Sequence, residues 1–66
     1  MHPNIGDVCH IQAYDDHVWV GKITEIHREF ESPFLYIAGK DYRGIPQFIA
    51  KHEDELFVID GEWWEK

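Results

Sequence analysis

The sequence predicts an all-β domain: a small five-stranded barrel with one short helical or 3₁₀ turn before the last strand. Five short runs are rich in β-branched and aromatic residues, and Gly, Pro and Asp separate them. The longest run, residues 18–26, holds four Val or Ile residues, one Trp and a single Gly. Closing these strands into a barrel would remove the exposed sheet edges that endanger small β proteins.

The first strand follows the turn signal Gly6-Asp7 and alternates along its length. A period of two residues places Cys9, Ile11 and Ala13 on its inward face. A short polar loop, residues 14–17, leads to the next β run, and so few intervening residues indicate a hairpin.

The second strand covers residues 18–26 and extends to Arg28 or Glu29. Helical spacing also occurs between residues 22 and 30, but the density of β-branched residues opposes a helix. Gly21 inside the run marks a bulge, a bend or a close backbone approach, and we expect a bend that closes the sheet. We expect Trp19, beside the polar loop, to be exposed.

The third strand covers residues 34–38, and a loop bounded by glycines follows at residues 39–44. Residues 45–50 form the fourth strand, whose start is confined to an edge or a bulge because Pro46 has no backbone donor.

Residues 51–55 form the short helical or 3₁₀ turn, and residues 56–59 form the fifth strand. The turn Asp60-Gly61 follows. The sequence therefore divides into a barrel, residues 1–60, and an aromatic C-terminal tail, residues 61–66.

Length and cysteine content bound the class of protein. A chain of 66 residues forms one domain, and its single Cys excludes an internal disulfide, which fits a reducing compartment. The start at Met1 has neither the basic residues nor the apolar run of a signal peptide. We therefore expect a complete small cytoplasmic protein that does not enter a membrane. Three Trp, three Tyr and four Phe exceed the need of a minimal core, so some should lie on the surface.

The net charge of −7 limits the classes of binding partner that we expect. Binding to a phosphate backbone or an anionic membrane depends on clustered Lys and Arg, so we expect neither. A basic protein surface remains a suitable partner. Acidity also serves simply to keep a small domain soluble.

Four short stretches resemble the SH3-like barrels, and within them the Tudor-like variety. They correspond to the opening strand, the second strand, the Asp-Tyr-Gly turn with Arg43 inserted, and the turn into the last strand. These are Gly6-Asp7-Val8-Cys9-His10-Ile11, Trp19-Val20-Gly21-Lys22-Ile23, Asp41-Tyr42-Arg43-Gly44 and Glu53-Asp54-Glu55-Leu56. The resemblance implies a binding module, although such barrels serve many unrelated functions.

In Tudor domains an aromatic cage holds a methylated Lys or Arg by cation–π attraction. The resemblance places Trp19 and Tyr42 at cage positions, adds Tyr36 from the third strand, and offers Asp41 as the cage acid. The inserted Arg43 would put a cation beside a site meant for cations, which argues against the cage.

Trp63 and Trp64 stand in the predicted tail, between Glu62 and Glu65. Neighbouring residues of an extended segment face opposite ways, so one Trp can cover the end of the barrel while the other faces outward. The outward Trp would serve as a docking contact or as the contact of a homodimer.

The residues give little support to catalysis or metal binding. Cys9 and His10 point to opposite faces of a strand, and no zinc-type spacing links them to His17 or His27. The chain has no glycine-rich phosphate loop and no Gly-x-Ser-x-Gly. We therefore expect no metal, no cofactor and no catalytic residue. An enzyme formed by oligomerisation stays a third alternative.

The sequence leads to two functional hypotheses. The first is a small cytoplasmic, non-enzymatic protein–protein interaction module that contacts its partner through Trp19, Tyr36, Tyr42, Trp63 and Trp64. The alternative is an acidic inhibitor of the phage or mobile-element type, which imitates nucleic acid and blocks a basic protein surface. Its acidic surface would comprise Asp15, Asp16, Glu53, Asp54 and Glu55.

Overall fold

The computed structural model describes residues 2–12, 17–29 and 31–66. These residues form six strands and one 3₁₀ turn, so the all-β class is confirmed. The strands are β1 (Val8–Gln12), β2 (Val18–His27), β3 (Phe34–Lys40), β4 (Pro46–His52), β5 (Leu56–Ile59) and β6 (Glu62–Glu65). The 3₁₀ turn, Glu53–Glu55, directly precedes β5, as the sequence predicts.

All six strands lie in one sheet, in the order β4-β3-β2-β1-β6-β5. The pair β1–β6 is parallel and every other pair is antiparallel. Within the described ranges no ladder joins β4 to β5, so the sheet has two edges and is not closed. The expected count of five strands is therefore wrong, because the segment interpreted as a tail contributes a sixth.

The sixth strand is a consequence of the turn at Asp60 and Gly61. Both residues have positive φ, 53° and 80°. Positive φ at both central positions is the signature of a type I′ turn, the two-residue hairpin connection that Asp-Gly favours. Ile59 therefore pairs with Glu62, and β6 returns along β5 to pair with β1 on its other side.

The other elements lie close to their predicted positions. β2 runs through His27, so the helical alternative at residues 22–30 is wrong where the chain is described. β3 continues through Gly39 and Lys40, which the sequence assigned to a loop. These two residues pair with Gln47 and Pro46, so the β3–β4 connection is shorter than expected.

Gly21 allows a close approach of two strands. It lies opposite Gly39 of β3, and a methyl group on Gly21 would stand 2.6 Å from the Ala38 carbonyl oxygen and 2.8 Å from the Trp19 ring. The shift in register between β2 and β3 occurs further along, between Ile23 and Glu25. The irregularity of β2 therefore lies at this bulge rather than at the glycine.

Alternation along the strands builds the core on one face of the sheet. Cys9 and Ile11 are fully buried, as the period-two pattern of β1 predicts, while Ala13 lies outside the described residues. Cys9 packs in a cluster that draws on β1, β2, β3, β5 and β6. Its other members are Ile11, Trp19, Ile23, Leu35, Ile37, Leu56 and Trp63.

We predict that Gly61→Ala destabilises the protein by about 1–2 kcal/mol, because a Cβ in the left-handed region clashes with the backbone. Urea unfolding monitored by Trp fluorescence measures the loss. Asp60→Asn is the matched control, since Asn tolerates the same region and should leave stability nearly unchanged. Equal stability of Gly61→Ala and the wild type would contradict this account of the turn.

Candidate functional site

A cleft of about 650 Å³ lies where β1 ends and β2 begins. Five elements of the chain border it: the end of β1, the start of β2, the β3–β4 turn, β4 and the end of β6. Gln12, Trp19, Tyr42, Phe48 and Glu65 represent them in that order. The cleft therefore lies between β4, an edge strand of the sheet, and the ends of β1 and β6.

Aromatic side chains form the rim of the cleft. Tyr42 is 61% exposed and Phe48 is 78% exposed. The Tyr42 ring lies 4.2 Å from the ring of His17, centroid to centroid, and the Arg43 guanidinium stands 5.6 Å from the Tyr42 centroid. Large apolar side chains this exposed beside a concave surface are typical contact anchors.

Asp41 fixes the β3–β4 turn that carries Tyr42. Its carboxylate accepts hydrogen bonds from the backbone N–H groups of Arg43 and Ile45, at 2.9 and 3.0 Å. The Arg43 guanidinium and the Gln47 amide donate to the same carboxylate, at 2.8 and 3.0 Å. The Arg43 bond above all, with the backbone and Gln47 bonds, lowers the pKa of Asp41 to about 2. Asp41, which the Tudor resemblance implies as the cage acid, is therefore already engaged in holding the turn. An acid with these four hydrogen bonds is poorly placed to receive a ligand cation.

Glu65 links β6 to β4. Its carboxylate lies 2.5 Å from the Lys51 ammonium of β4 and accepts the backbone N–H of Gln12 at 2.8 Å. Both charged side chains are largely buried, at 17% and 18% exposure. Burial raises the pKa of Glu65, but the hydrogen bonds from Lys51 and Gln12 and the Lys51 charge outweigh it, so the pKa falls below its usual value. The charges in this part of the cleft are paired with one another.

The structure corrects two of the predicted aromatic contacts. Trp19 is only 6% exposed and Trp63 only 3%, because both point into the core from the inward face of the sheet. The Trp63 indole N–H donates to the Asp7 carboxylate at 3.1 Å. Trp19 still reaches the cleft and lines it, whereas Trp63 does not.

The remaining predicted aromatic residues divide between two surfaces. Tyr42 lines the cleft, whereas Tyr36 is exposed on the outer face of β3, beside the rings of His27 and Phe34. Trp64 is half-buried on the outer face and stacks on His10, with centroids 3.7 Å apart. The five residues therefore do not form one site.

The acidic residues named from the sequence do not border the cleft where they are described. Glu53, Asp54 and Glu55 form the 3₁₀ turn, which the bond from Glu53 N–H to the Pro33 carbonyl oxygen ties to the β2–β3 connection. The Glu55 carbonyl oxygen also accepts the N–H of Lys66, the neighbour of the cleft residue Glu65. Asp15 and Asp16 lie outside the described residues.

The sequence analysis missed Phe48 and His17 as cleft residues. Alternation along β4 predicts that Phe48 is exposed, on the side opposite Gln47 and Ile49, but it does not mark Phe48 as a cleft residue. His17 precedes β2 and meets Tyr42 only because the pairing of β2 with β3 brings the start of β2 beside the β3–β4 turn. No local pattern marks that encounter.

Cys9 has the properties of a core residue. Burial, assisted by the charge of Asp7, raises the pKa of its thiol to about 12, so the thiol stays protonated near neutral pH. His10 faces the outer side of the sheet, as alternation predicts. Across the described ranges, no group of three His, Cys, Asp or Glu side chains is arranged to hold a metal ion. Residues 2–12, 17–29 and 31–66 contain no helix long and apolar enough to span a membrane.

The chain matches no protein-family model, and comparisons with curated proteins and with solved structures find no significant match.

We predict that Trp19→Ala costs about 3–5 kcal/mol of stability, the range for removing a buried aromatic side chain. The free energy of unfolding in urea measures the loss. Val18→Ala, the exposed neighbour, should stay within about 0.5 kcal/mol of the wild type. A Trp19→Ala variant with wild-type stability would contradict the burial of Trp19 in the core.

We predict that Glu65→Gln destabilises the protein by about 1–3 kcal/mol at neutral pH, because Lys51 loses a charged partner. The folded protein lowers the pKa of Glu65, so the stabilisation is complete above the unfolded pKa, near 4.5, and is lost as pH falls through the folded value. The difference between variant and wild type should therefore shrink below pH 4.5.

Urea midpoints measured from neutral to acidic pH test this dependence. Glu29→Gln is the control, since Glu29 is an exposed carboxylate 3.8 Å from His27 and should give only a small difference. A stability difference between Glu65→Gln and the wild type that stays constant with pH would contradict the role of the Glu65 charge.

Proposed function

We propose that this chain is a small cytoplasmic, non-enzymatic protein-interaction module that receives part of a partner protein in the cleft. One observation carries the proposal: exposed Tyr42 and Phe48 flank a concave surface that lies over the buried Trp19. The cleft volume falls within the range of about 300–1,000 Å³ that is usual for binding sites.

The SH3-like, Tudor-like architecture belongs to this proposal. Its support is the order of elements, in which four antiparallel strands are followed by a 3₁₀ turn and a further strand. The hairpin of β5 and β6 would be an addition at the end of that arrangement.

The charges around the cleft favour an apolar or aromatic side chain of the partner. Asp41 is held by Arg43, and Glu65 is held by Lys51. A methylated cation would compete with these partners for the carboxylates. An apolar group would instead add to the Tyr42 and Phe48 contacts without disturbing either pair.

We predict that Tyr42→Ala and Phe48→Ala each weaken partner binding by about tenfold or more, the effect of losing about 1.4 kcal/mol. A partner captured with the wild-type protein and identified by mass spectrometry provides the ligand for calorimetry. Val20→Ala is the control, because Val20 is also an exposed apolar residue but does not line the cleft.

Affinity through aromatic contacts should change little between about 0.05 and 0.5 M salt. A partner that binds both cleft variants as tightly as the wild type would contradict the proposal. Unfolding curves of each variant show that loss of binding is not loss of the fold.

The second candidate is the acidic inhibitor that imitates nucleic acid. Its support is the gathering of acidic residues where the 3₁₀ turn meets the β2–β3 connection. Glu29, Glu31, Asp54 and Glu55 are exposed there. Binding of this kind would fall steeply with salt and would weaken when Glu29, Glu31 and Asp54 become amides, while Tyr42→Ala would have no effect.

A further inference from the structure

The outer edge of β5 differs from the other edge of the sheet. β5 consists of four apolar residues, Leu56–Ile59, and pairs with β6 on one side. In the part of the chain that the structure describes, nothing pairs with its other side. Natural edge strands are usually kept short or carry a Lys, a Pro or a bulge, which discourages pairing with another chain. β5 is short, at four residues, but it carries no Lys, Pro or bulge.

The opposite edge, β4, carries such devices. It begins with Pro46, which has no N–H to offer, and it ends with Lys51 and His52. Its inward side also supplies Lys51 to the bridge with Glu65. The contrast singles out β5 as the edge suited to accept a further strand.

The side chains of β5 define what that strand would meet. Phe57 and Ile59 face outward, 40% and 49% exposed, while Val58 is half-buried on the inner side. Phe57 is paired with Trp64, and Trp64 with His10. These three ring side chains form a row across β5, β6 and β1 on the outer face of the sheet. A strand added beside β5 would extend this row with the residue opposite Phe57. Aromatic and β-branched residues are favoured in such a pair.

Charge decides which kind of strand fits. Acidic residues stand at both ends of β5, Asp54 and Glu55 before it and Asp60 after it. A second copy pairing antiparallel with β5 would bring Glu55 against Asp60 of the copy, and each copy carries a net charge of −7. Like charges directly opposite each other destabilise a pair of strands. A strand with Lys or Arg at both ends would meet complementary charge instead.

We propose that the free edge of β5 binds an extended segment of another protein, apolar and β-branched in its middle and basic at both ends. The segment adds to the sheet as a seventh strand. Its backbone pairs with β5, which gives affinity, and its basic ends lie beside Glu55 and Asp60, which gives selectivity. This surface is separate from the cleft and does not depend on the function proposed for it.

NMR titration with synthetic peptides tests the proposal. The probe has about eight residues, with alternating Val and Thr in the middle and two Lys at each end, and is added to about 1 mM. One comparison peptide has Glu in place of every Lys, and another has Pro at its centre. Amide shifts and hydrogen exchange of the ¹⁵N-labelled protein report where the peptide pairs.

The Lys-flanked peptide should shift the amides of residues 56–59 and slow their exchange. The Glu-flanked and Pro-interrupted peptides should bind at least about tenfold more weakly, because like charges and a missing donor each cost more than that factor. Phe57→Lys should weaken binding of the Lys-flanked peptide to a similar degree. Val20→Lys, at another exposed position on the outer face, in β2, should not.

Several outcomes would overturn the proposal. One is the absence of shifts in residues 56–59 at the highest peptide concentration, and another is equal binding of all three peptides. Amide shifts confined to the cleft residues would show that the peptide binds in the cleft and not at β5. Sedimentation that shows a dimer abolished by Phe57→Lys would assign the edge to a second copy. Ile59→Lys replaces Phe57→Lys if that variant loses the wild-type spectrum.

Discussion

The type I′ turn at Asp60 and Gly61 is the constraint on which the rest of this structure depends. It reverses the chain after β5 and inserts β6 between β5 and β1. Trp63 thereby enters the core, Trp64 reaches His10, and Glu65 reaches Lys51 and Gln12. Without the reversal, β5 would be the last strand, and Lys51 of β4 would lose its partner Glu65.

The bridge at Glu65 shows how a small sheet manages an opening that its strands do not close. The inward face of β4 ends in Lys51 rather than in an apolar side chain. A buried ammonium is costly unless it is paired and hydrogen-bonded. Glu65 supplies the pair and at the same time holds the N–H of Gln12 at the end of β1. The same arrangement leaves the cleft with matched charges and leaves its exposed aromatic residues as the groups still available for contact.

The local patterns of the sequence were sufficient for most of the strands and insufficient for the last one. Period-two alternation located the inward face of β1, and the apolar run of β5 marked its exact bounds. The Asp60-Gly61 pair is also a hairpin signal, but the four residues after it are acidic and aromatic rather than alternating, so they suggested a tail. What makes them a strand is pairing with β1, more than fifty residues away, and no local pattern reports such a partner.

The aromatic residues show the same limit at the level of the site. Composition indicated that some of them must be exposed, and Tyr36, Tyr42, Phe48 and Phe57 are. Composition does not identify which, because exposure depends on register. Trp19 and Val20 are neighbours on β2, and pairing with Ile11 and His10 of β1 turns the first inward and the second outward. A shift of one residue would exchange them and move the Trp from the floor of the cleft to the outer face. The cleft is therefore a property of the pairing, and Trp19 contributes to it as the buried support beneath the two aromatic side chains that a partner can reach.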